Sequence, residues 1–273
     1  MLHCVQLAGL LHDIGIFIQH GLSNKGELKH PQISRDFILL YKDILSQYVD
    51  VSVLAELVER HHGNPLFPKE ILAQEASPEN RPLCLLLNQA NCMSDLECDE
   101  NGGFFKDSKG IPLSSVFAQL QLYVDKARPV PKGYRPLPLK PEDAFPYEET
   151  SLNKAYSKEL FALVENFKKD FSQLADESGG LQFEAFLSRL TALLQQYTWP
   201  VPSNTEKKGS DISLYDHLKT TSAIAAALYL YHQEKGDFSE ESICNLNEKK
   251  FRLVVGDLSG IQKYIFSGLA KTS

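Results

Sequence analysis

The chain lacks several features that would direct it to other classes. None of its five cysteines (Cys4, Cys84, Cys92, Cys98 and Cys244) forms a CxxC pair, so no zinc-knuckle spacing is present. An odd cysteine count in an acidic chain points to reduced thiols and a cytoplasmic location. No apolar run of about 18 residues is apparent, which removes a transmembrane helix from the expectations. The opening MLHCVQLAGLLHD has no basic n-region and meets Asp13 early, so it does not read as a signal peptide. Basic residues are in deficit. With 28 Lys and Arg against 35 Asp and Glu, the formal net charge is −7, and no broad basic field advertises nucleic acid. A local basic groove or a basic partner subunit is compatible with that charge. The 273 residues leave room for one large domain or two modest ones.

What is present is helical periodicity. Leu7, Leu10, Leu11, Ile14, Phe17 and Ile18 recur at three- and four-residue steps and predict a helix over residues 4–20. Pro31 suits the first turn of a second helix opening at His30, with Ile33, Phe37, Leu40 and Tyr41 on its apolar face. Further helices are expected over 52–60, stopped by Gly63 and Pro65, over 82–94, and over 113–126. Six prolines within residues 127–150 exclude a regular helix and favour an extended connector. Helices resume over 156–174 and 183–197. Ser213 and Asp216 have the spacing of a capping box at the head of a helix over 213–232. Near the end, FRLVVGD (residues 251–257) is a β-branched apolar run that reads as a buried strand. A helix is expected after it, capped by Asp257 or Ser259. One buried strand cannot make a sheet, so the chain reads as stopping just after entering a second domain.

Polar residues gather on these helices. His12 and Asp13 are adjacent on the first, His30 opens the second, His61 and His62 close the third, and His217 lies one turn into the capped helix. Imidazole nitrogen and carboxylate oxygen are the usual ligands of Mn, Fe, Co, Ni and Zn. Ions held there can activate water and offset charge developing on a phosphodiester. A histidine beside an apolar helix is more often structural, bonded to backbone, and that is the expectation for His3, His20 and His232. The metal reading rests on the joint pattern of HD, then His, then HH, on successive helices.

These motifs resemble the HD phosphohydrolase superfamily and, more closely, the large signature subunit of type III-A (Csm-type) CRISPR effector complexes. LAGLLHDIGIFIQ is similar to that family's opening HD helix, KHPQISRDFI to its H-x-x-x-S-x-x-F segment and ERHHG to its HH-G turn. DISLYDHLKTTSAIAAALYLY is similar to its SLYDH helix, and VVGDLSGIQKYIF to the first strand and helix of its polymerase-like palm. The resemblance covers both ends of the chain in the family's order, and residues 100–205 carry little of it. It implies a mainly α fold: a circularly permuted helical HD bundle, followed by the first strand and helix of an incomplete α+β, ferredoxin-like palm. The implied organisation is an HD-type core over 1–126 and a connector over 127–150. A helical continuation over 151–246 then includes the permuted helix 211–232, and the palm begins at 247–273.

The implied activity is metal-dependent hydrolysis of single-stranded DNA in antiviral defence, inside a guide-RNA complex of several subunits and without a membrane. His12 and Asp13 would be catalytic. His12, Asp13, His30, His61, His62 and His217 would hold the ions, with Mn, Ni or Co as the metal. His217 stands where ordinary HD enzymes place their first histidine, displaced by the permutation; the alternative is that it only packs or hydrogen-bonds between domains. ATP and Mg belong to the full-length family member, which makes cyclic oligoadenylate at a Gly-Gly-Asp-Asp hairpin. No such sequence occurs here, and no cofactor-binding residues are expected.

Two departures from the family pattern bear on activity. The last ligand position is an aspartate after alanine; here Ala90 is followed by Asn91, a neutral residue offering only a carbonyl oxygen. Asp95 lies one turn later as a substitute from an altered position, and Asp99 reads as a solvated loop charge. Ile16 replaces a lysine that commonly follows the HD turn, removing a cation beside the phosphate. Both changes weaken a nuclease, so the competing reading is an HD scaffold or binding module of the effector complex. A general HD-type nucleotide phosphohydrolase is a third reading, which the palm-like end counts against. Asp257 matches an acidic palm position, but a helix cap is the preferred reading there.

Overall fold

The computed structural model describes residues 1–20, 29–94, 111–119, 131–148, 156–177, 179–204, 210–257 and 259–260. Helix α1 spans Leu2–Leu11 and α2 spans Ile14–His20, so the helix expected over 4–20 is interrupted at His12 and Asp13. The cause is local. The Gly15 amide donates to Ser34 Oγ at 2.9 Å, and the Ile16 amide closes a tighter turn on the Asp13 carbonyl at 3.0 Å. Helix α3 (His30–Leu40) begins with the Lys29 amide donating to Gln32 Oε1 at 3.0 Å and with Pro31 in its first turn. A short α4 (Lys42–Leu45) leads to α5 (Val51–Glu59), capped by Asp50, whose carboxylate accepts from the Ser52 and Val53 amides. Helix α6 covers Arg81–Ser94.

The proline-rich stretch is more ordered than a plain connector. Lys132–Gly133 (β1) pairs antiparallel with Tyr147–Glu148 (β2), and Trp199 Nε1 donates to the Leu137 carbonyl at 3.1 Å. The helix expected over 113–126 does not form in its described part. Ser114 and Ser115 donate their amides to the Ser210 and Lys132 carbonyls, both at 2.8 Å, leaving only a 3-10 turn at Val116–Gln119. The remainder of that expectation lies outside the described residues.

Helices α7 (Tyr156–Glu177), α8 (Phe183–Thr198), α9 (Leu214–Lys235) and α10 (Glu240–Cys244) follow. Ser213 caps α9 by accepting the Asp216 amide at 3.0 Å, and Gly236, at φ 69°, ends it in the left-handed conformation. One apolar core runs from Cys4 to Ile243, with Phe17, Phe167, Phe171 and Phe186 fully buried. Helix α9 lies against α1 and α6. It comes so close to α1 that a Cβ on Gly9 would sit 2.4 Å from Ser222 Cα.

Three expectations need correction. Residues 251–257 form no strand: Leu253, Val254 and Val255 are each at least 85% exposed. An apolar run needs neighbouring strands to bury and pair it, and among the described residues none lies beside it. The helix expected after it falls outside the described residues, and Asp257 is exposed. Second, Leu2–Gln19 is apolar and long enough to span a membrane by composition (18 residues, mean hydropathy 1.2), although 72% of it is buried in the bundle. Third, Cys4, Cys84 and Cys244 are free thiols, but Cys92 is disulfide-bonded.

Candidate metal centre

The irregular turn between α1 and α2 aims His12 and Asp13 into the middle of the bundle, where both are buried. Close packing holds their neighbours against them. A Cβ on Gly15 would lie 2.0 Å from the His30 carbonyl oxygen, so only glycine lets α3 approach this near. The turn after α5 that carries His61 and His62 is pinned by backbone bonds from His62 to Ile71 and from Ala73 to His62, at 3.3 and 2.8 Å. Asn88 of α6 donates to the His61 carbonyl at 2.9 Å. Helix α9 delivers His217 from more than 200 residues away along the chain.

Asp13 is the centre of the cluster. Its Oδ1 faces His30 Nε2 at 3.1 Å and His61 Nε2 at 3.2 Å. Its Oδ2 faces His12 Nε2 at 3.3 Å and His217 Nε2 at 3.4 Å. His12 Nε2 also lies 3.2 Å from Asn91 Oδ1 and 3.2 Å from His217 Nε2. His62 Nε2 lies 3.2 Å from His30 Nε2. The ligand atoms of His30, His61 and His62 lie within 4.8 Å of one another, as do those of His12, Asp13 and His61.

The outer ring nitrogens fix what the inner ones can do. His12 Nδ1 bonds the Gly9 carbonyl at 3.0 Å, and His61 Nδ1 bonds the Val58 carbonyl at 2.8 Å. A carbonyl only accepts, so both Nδ1 atoms carry the proton. In the neutral ring each Nε2 then offers a lone pair to the centre. Those lone pairs converge on carboxylate and amide oxygens, which are also acceptors. Asp13 Oδ1 and His61 Nε2 are buried and, although 3.2 Å apart, make no hydrogen bond to each other or to any other group. A pool of buried acceptors without donors is costly unless a cation completes it. The residues present therefore fit a divalent ion of the imidazole-binding kind.

The shifts of His61 and His62 agree with this, while that of His12 runs the other way. Burial pushes the His61 ring down to about 4, helped by its histidine neighbours, so it is neutral near pH 7. His62 is held well below the ordinary histidine value, first by burial and then by His61 and His30. For Asp13 burial acts upward, but His12, His30 and the imidazole bonds outweigh it and keep the carboxyl well below its usual range. For His12 burial acts downward, and the Asp13 charge and its bonds more than reverse it.

Every residue singled out for the site (His12, Asp13, His30, His61, His62, His217 and Asn91) lies in this one cluster, while Asp95 and Asp99 are outside the described residues. Ile16 is partly buried against the core. His3 stacks on Phe183, with centroids 3.7 Å apart, and His232 Nδ1 bonds the Asp237 carbonyl, as structural histidines do. The His20 side chain lies outside what is described. Sequence reasoning missed Ser94, which bonds His217, and Thr221, which bonds Ser94. Each lies about one turn after a site residue (Asn91, His217), and that spacing was the available signal.

Fold and cluster together define a mainly helical protein built around a histidine-rich site of metal-ligating chemistry. No family model matches the chain. It is 28% identical to the CRISPR system single-strand-specific deoxyribonuclease Cas10/Csm1 (subtype III-A) of Methanocaldococcus jannaschii, over 96% of this chain and 34% of the relative. Its identity to the protein of the same name from Thermococcus onnurineus is 26%, over 95% of this chain and 31% of the relative. Among solved structures, a chain of a Csm1–Csm4 cassette in complex with one ATP superposes with a TM-score of 0.53 at 22% identity, covering 88% of this chain and 29% of that one. Along nearly its whole length the chain is thus similar to proteins named Cas10/Csm1 (subtype III-A). It spans about a third of the length of the curated relatives it matches.

Proposed function

We propose that this chain carries the HD nuclease of a type III-A effector large subunit, a metal-dependent phosphodiesterase acting on single-stranded DNA. The observation that supports it best is the buried cluster itself: four imidazoles face Asp13, His62 adjoins His30, and Asp13 Oδ1 and His61 Nε2 are buried without a hydrogen bond. His12, Asp13, His30, His61, His62 and His217 would hold the metal, with Asn91 contributing its amide oxygen. A divalent ion bound there would lower the pKa of water and offset charge on the scissile phosphate. The chain's own part is to turn the Nε2 atoms of His12 and His61 inward, through backbone-bonded Nδ1 atoms, and to supply one ionised carboxylate. Asp13 turns one oxygen to His30 and His61 and the other to His12 and His217, so it can serve ligands on both sides. Residues 1–126 with the permuted helix 211–232 would make the HD unit, and 247–273 would open the palm. By analogy with the relatives, the chain would work in a guide-RNA complex with a Csm4-like subunit, and ATP would belong to the longer protein.

The test is labelled single-stranded DNA with Mn²⁺, Ni²⁺ or Co²⁺, comparing wild type with the His12→Ala/Asp13→Ala double variant. Cleavage by the wild type alone is expected; equal cleavage by both sinks the assignment. A second reading, a scaffold whose chemistry is lost, is favoured by Asn91. Its amide oxygen stands 3.2 Å from His12 Nε2 and brings no charge. Asn91→Asp separates the two: activity gained on restoring the carboxylate marks a weakened enzyme, and a variant that still cleaves nothing marks a scaffold.

A further inference from the structure

His12 and His61 have their tautomers set by backbone carbonyls three residues earlier, which no side-chain substitution removes. His217 is different. Its Nδ1 lies 3.0 Å from the hydroxyl of Ser94, the last residue of α6, on a different helix. Ser94 Oγ donates to the Asn91 carbonyl at 2.8 Å, which uses its single proton. The same oxygen lies 2.6 Å from Thr221 Oγ1, one turn beyond His217 on α9. Having donated, Ser94 can only accept, so both Thr221 Oγ1 and His217 Nδ1 must donate to it. The His217 proton is thereby placed on Nδ1. Its Nε2 lone pair points to the centre, 3.4 Å from Asp13 Oδ2 and 3.2 Å from His12 Nε2.

We propose that Ser94 is a positioning residue of the metal centre. Its hydroxyl, oriented by the Asn91 carbonyl and supported by Thr221, holds His217 as the Nδ1–H tautomer and so makes it a ligand from a distant helix. This rests on the metal reading of the site. The arrangement also joins the two helices that flank the cluster, since Ser94 touches α6 through Asn91 and α9 through both His217 and Thr221. Thr221 is fully buried and His217 nearly so, which leaves water little access to replace the serine.

The test uses the 273-residue chain labelled with ¹⁵N-histidine, in metal-free form, with ring-nitrogen NMR to read the tautomer of His217. Calorimetry with Ni²⁺ alone reads affinity. In wild type, His217 is expected as Nδ1–H. In Ser94→Ala it should shift toward Nε2–H, and Ni²⁺ affinity should fall by about 10–100-fold, the usual cost of removing a partner behind a metal-binding histidine. Ser94→Thr, which keeps the hydroxyl, should restore both, and Thr221→Val should have a smaller effect than Ser94→Ala. An Nε2–H His217 in wild type overturns the proposal, and that measurement needs no variant to fold. Unchanged tautomer and affinity in a folded Ser94→Ala protein overturn it as well. Failure of the metal reading looks different: wild-type His217 is Nδ1–H but no Ni²⁺ binds, which removes the ligand role while leaving the hydrogen-bond assignment standing.

Discussion

The centre has an early half and a late half, built by different means. His12, Asp13, His30, His61 and His62 come from consecutive segments of α1 to α5, and the Nδ1 atoms of His12 and His61 rest on carbonyls of their own helices. Asn91, Ser94, His217 and Thr221 come from α6 and α9, and His217 reaches His12 across 205 positions. The early half is therefore set by turns and helix ends. The late half exists only because α9 packs on α1 and α6. Closing so long a loop costs little more than closing a shorter one, since the entropy grows only with the logarithm of length. The burden falls on the packing itself.

Each half depends on one close approach at a glycine, and substituting each separates them. Gly15→Ala should have the largest effect. Alanine in a helix ordinarily gains up to about 1 kcal/mol over glycine, but here its methyl would meet the His30 carbonyl at 2.0 Å. Forcing α2 and α3 apart should cost about 3 kcal/mol, at the upper end for overpacking. Urea unfolding should show that loss, and Ni²⁺ binding should weaken sharply because His30 and Asp13 separate. Stability at or above wild type would mean that the helix gain wins and the approach is slack. Gly9→Ala should cost about 2 kcal/mol by the same mechanism, its methyl meeting Ser222 Cα at 2.4 Å. Its effect on the site should be selective: the His217 ring signal moves while those of His30 and His62 stay in place. Equal disturbance of both sets would break the division into halves.

How much of this was legible in the sequence follows the same division. HD, His30 and HH could be read as ligands because adjacent polar pairs on apolar helices are rare and local. The helices themselves followed from their apolar spacing. The interruption at His12–Asp13 was not legible, because it arises from Ser34 taking the Gly15 amide, a contact between helices. Asn91 and His217 could be placed only through a family resemblance, since nothing in their spacing says that α6 and α9 meet. Ser94 went unnoticed because a serine at a helix end is ordinary until a buried imidazole is found beside it. The run 251–257 was misread for the opposite reason. Its composition is that of a strand, but a strand is a property of neighbours, and Leu253 and Val255 are both 86% exposed.

The smallest expected effect concerns protons and belongs to the early half. Burial lowers His61 from 6.5 to about 4 and lowers His62 well below its ordinary value. The unfolded chain therefore takes up these protons first. Stability from the two neutral rings is complete above pH 6.5 and is lost as pH falls toward 4. His12 acts in the opposite sense: raised by Asp13, it favours the folded state at low pH and loses that contribution as pH rises through its folded value. Asp13, lowered, contributes until pH drops below its own depressed range. Two lowered rings against one raised ring leave a net loss of stability on acidification of the metal-free chain. Urea midpoints between pH 6.5 and 4 should fall accordingly, and His61→Gln, which keeps a polar group without a titration, should flatten the slope. A slope that is unchanged in His61→Gln would move the pH dependence away from this ring. Metal should steepen it, because the ion binds only deprotonated imidazoles and adds stability to the folded state alone.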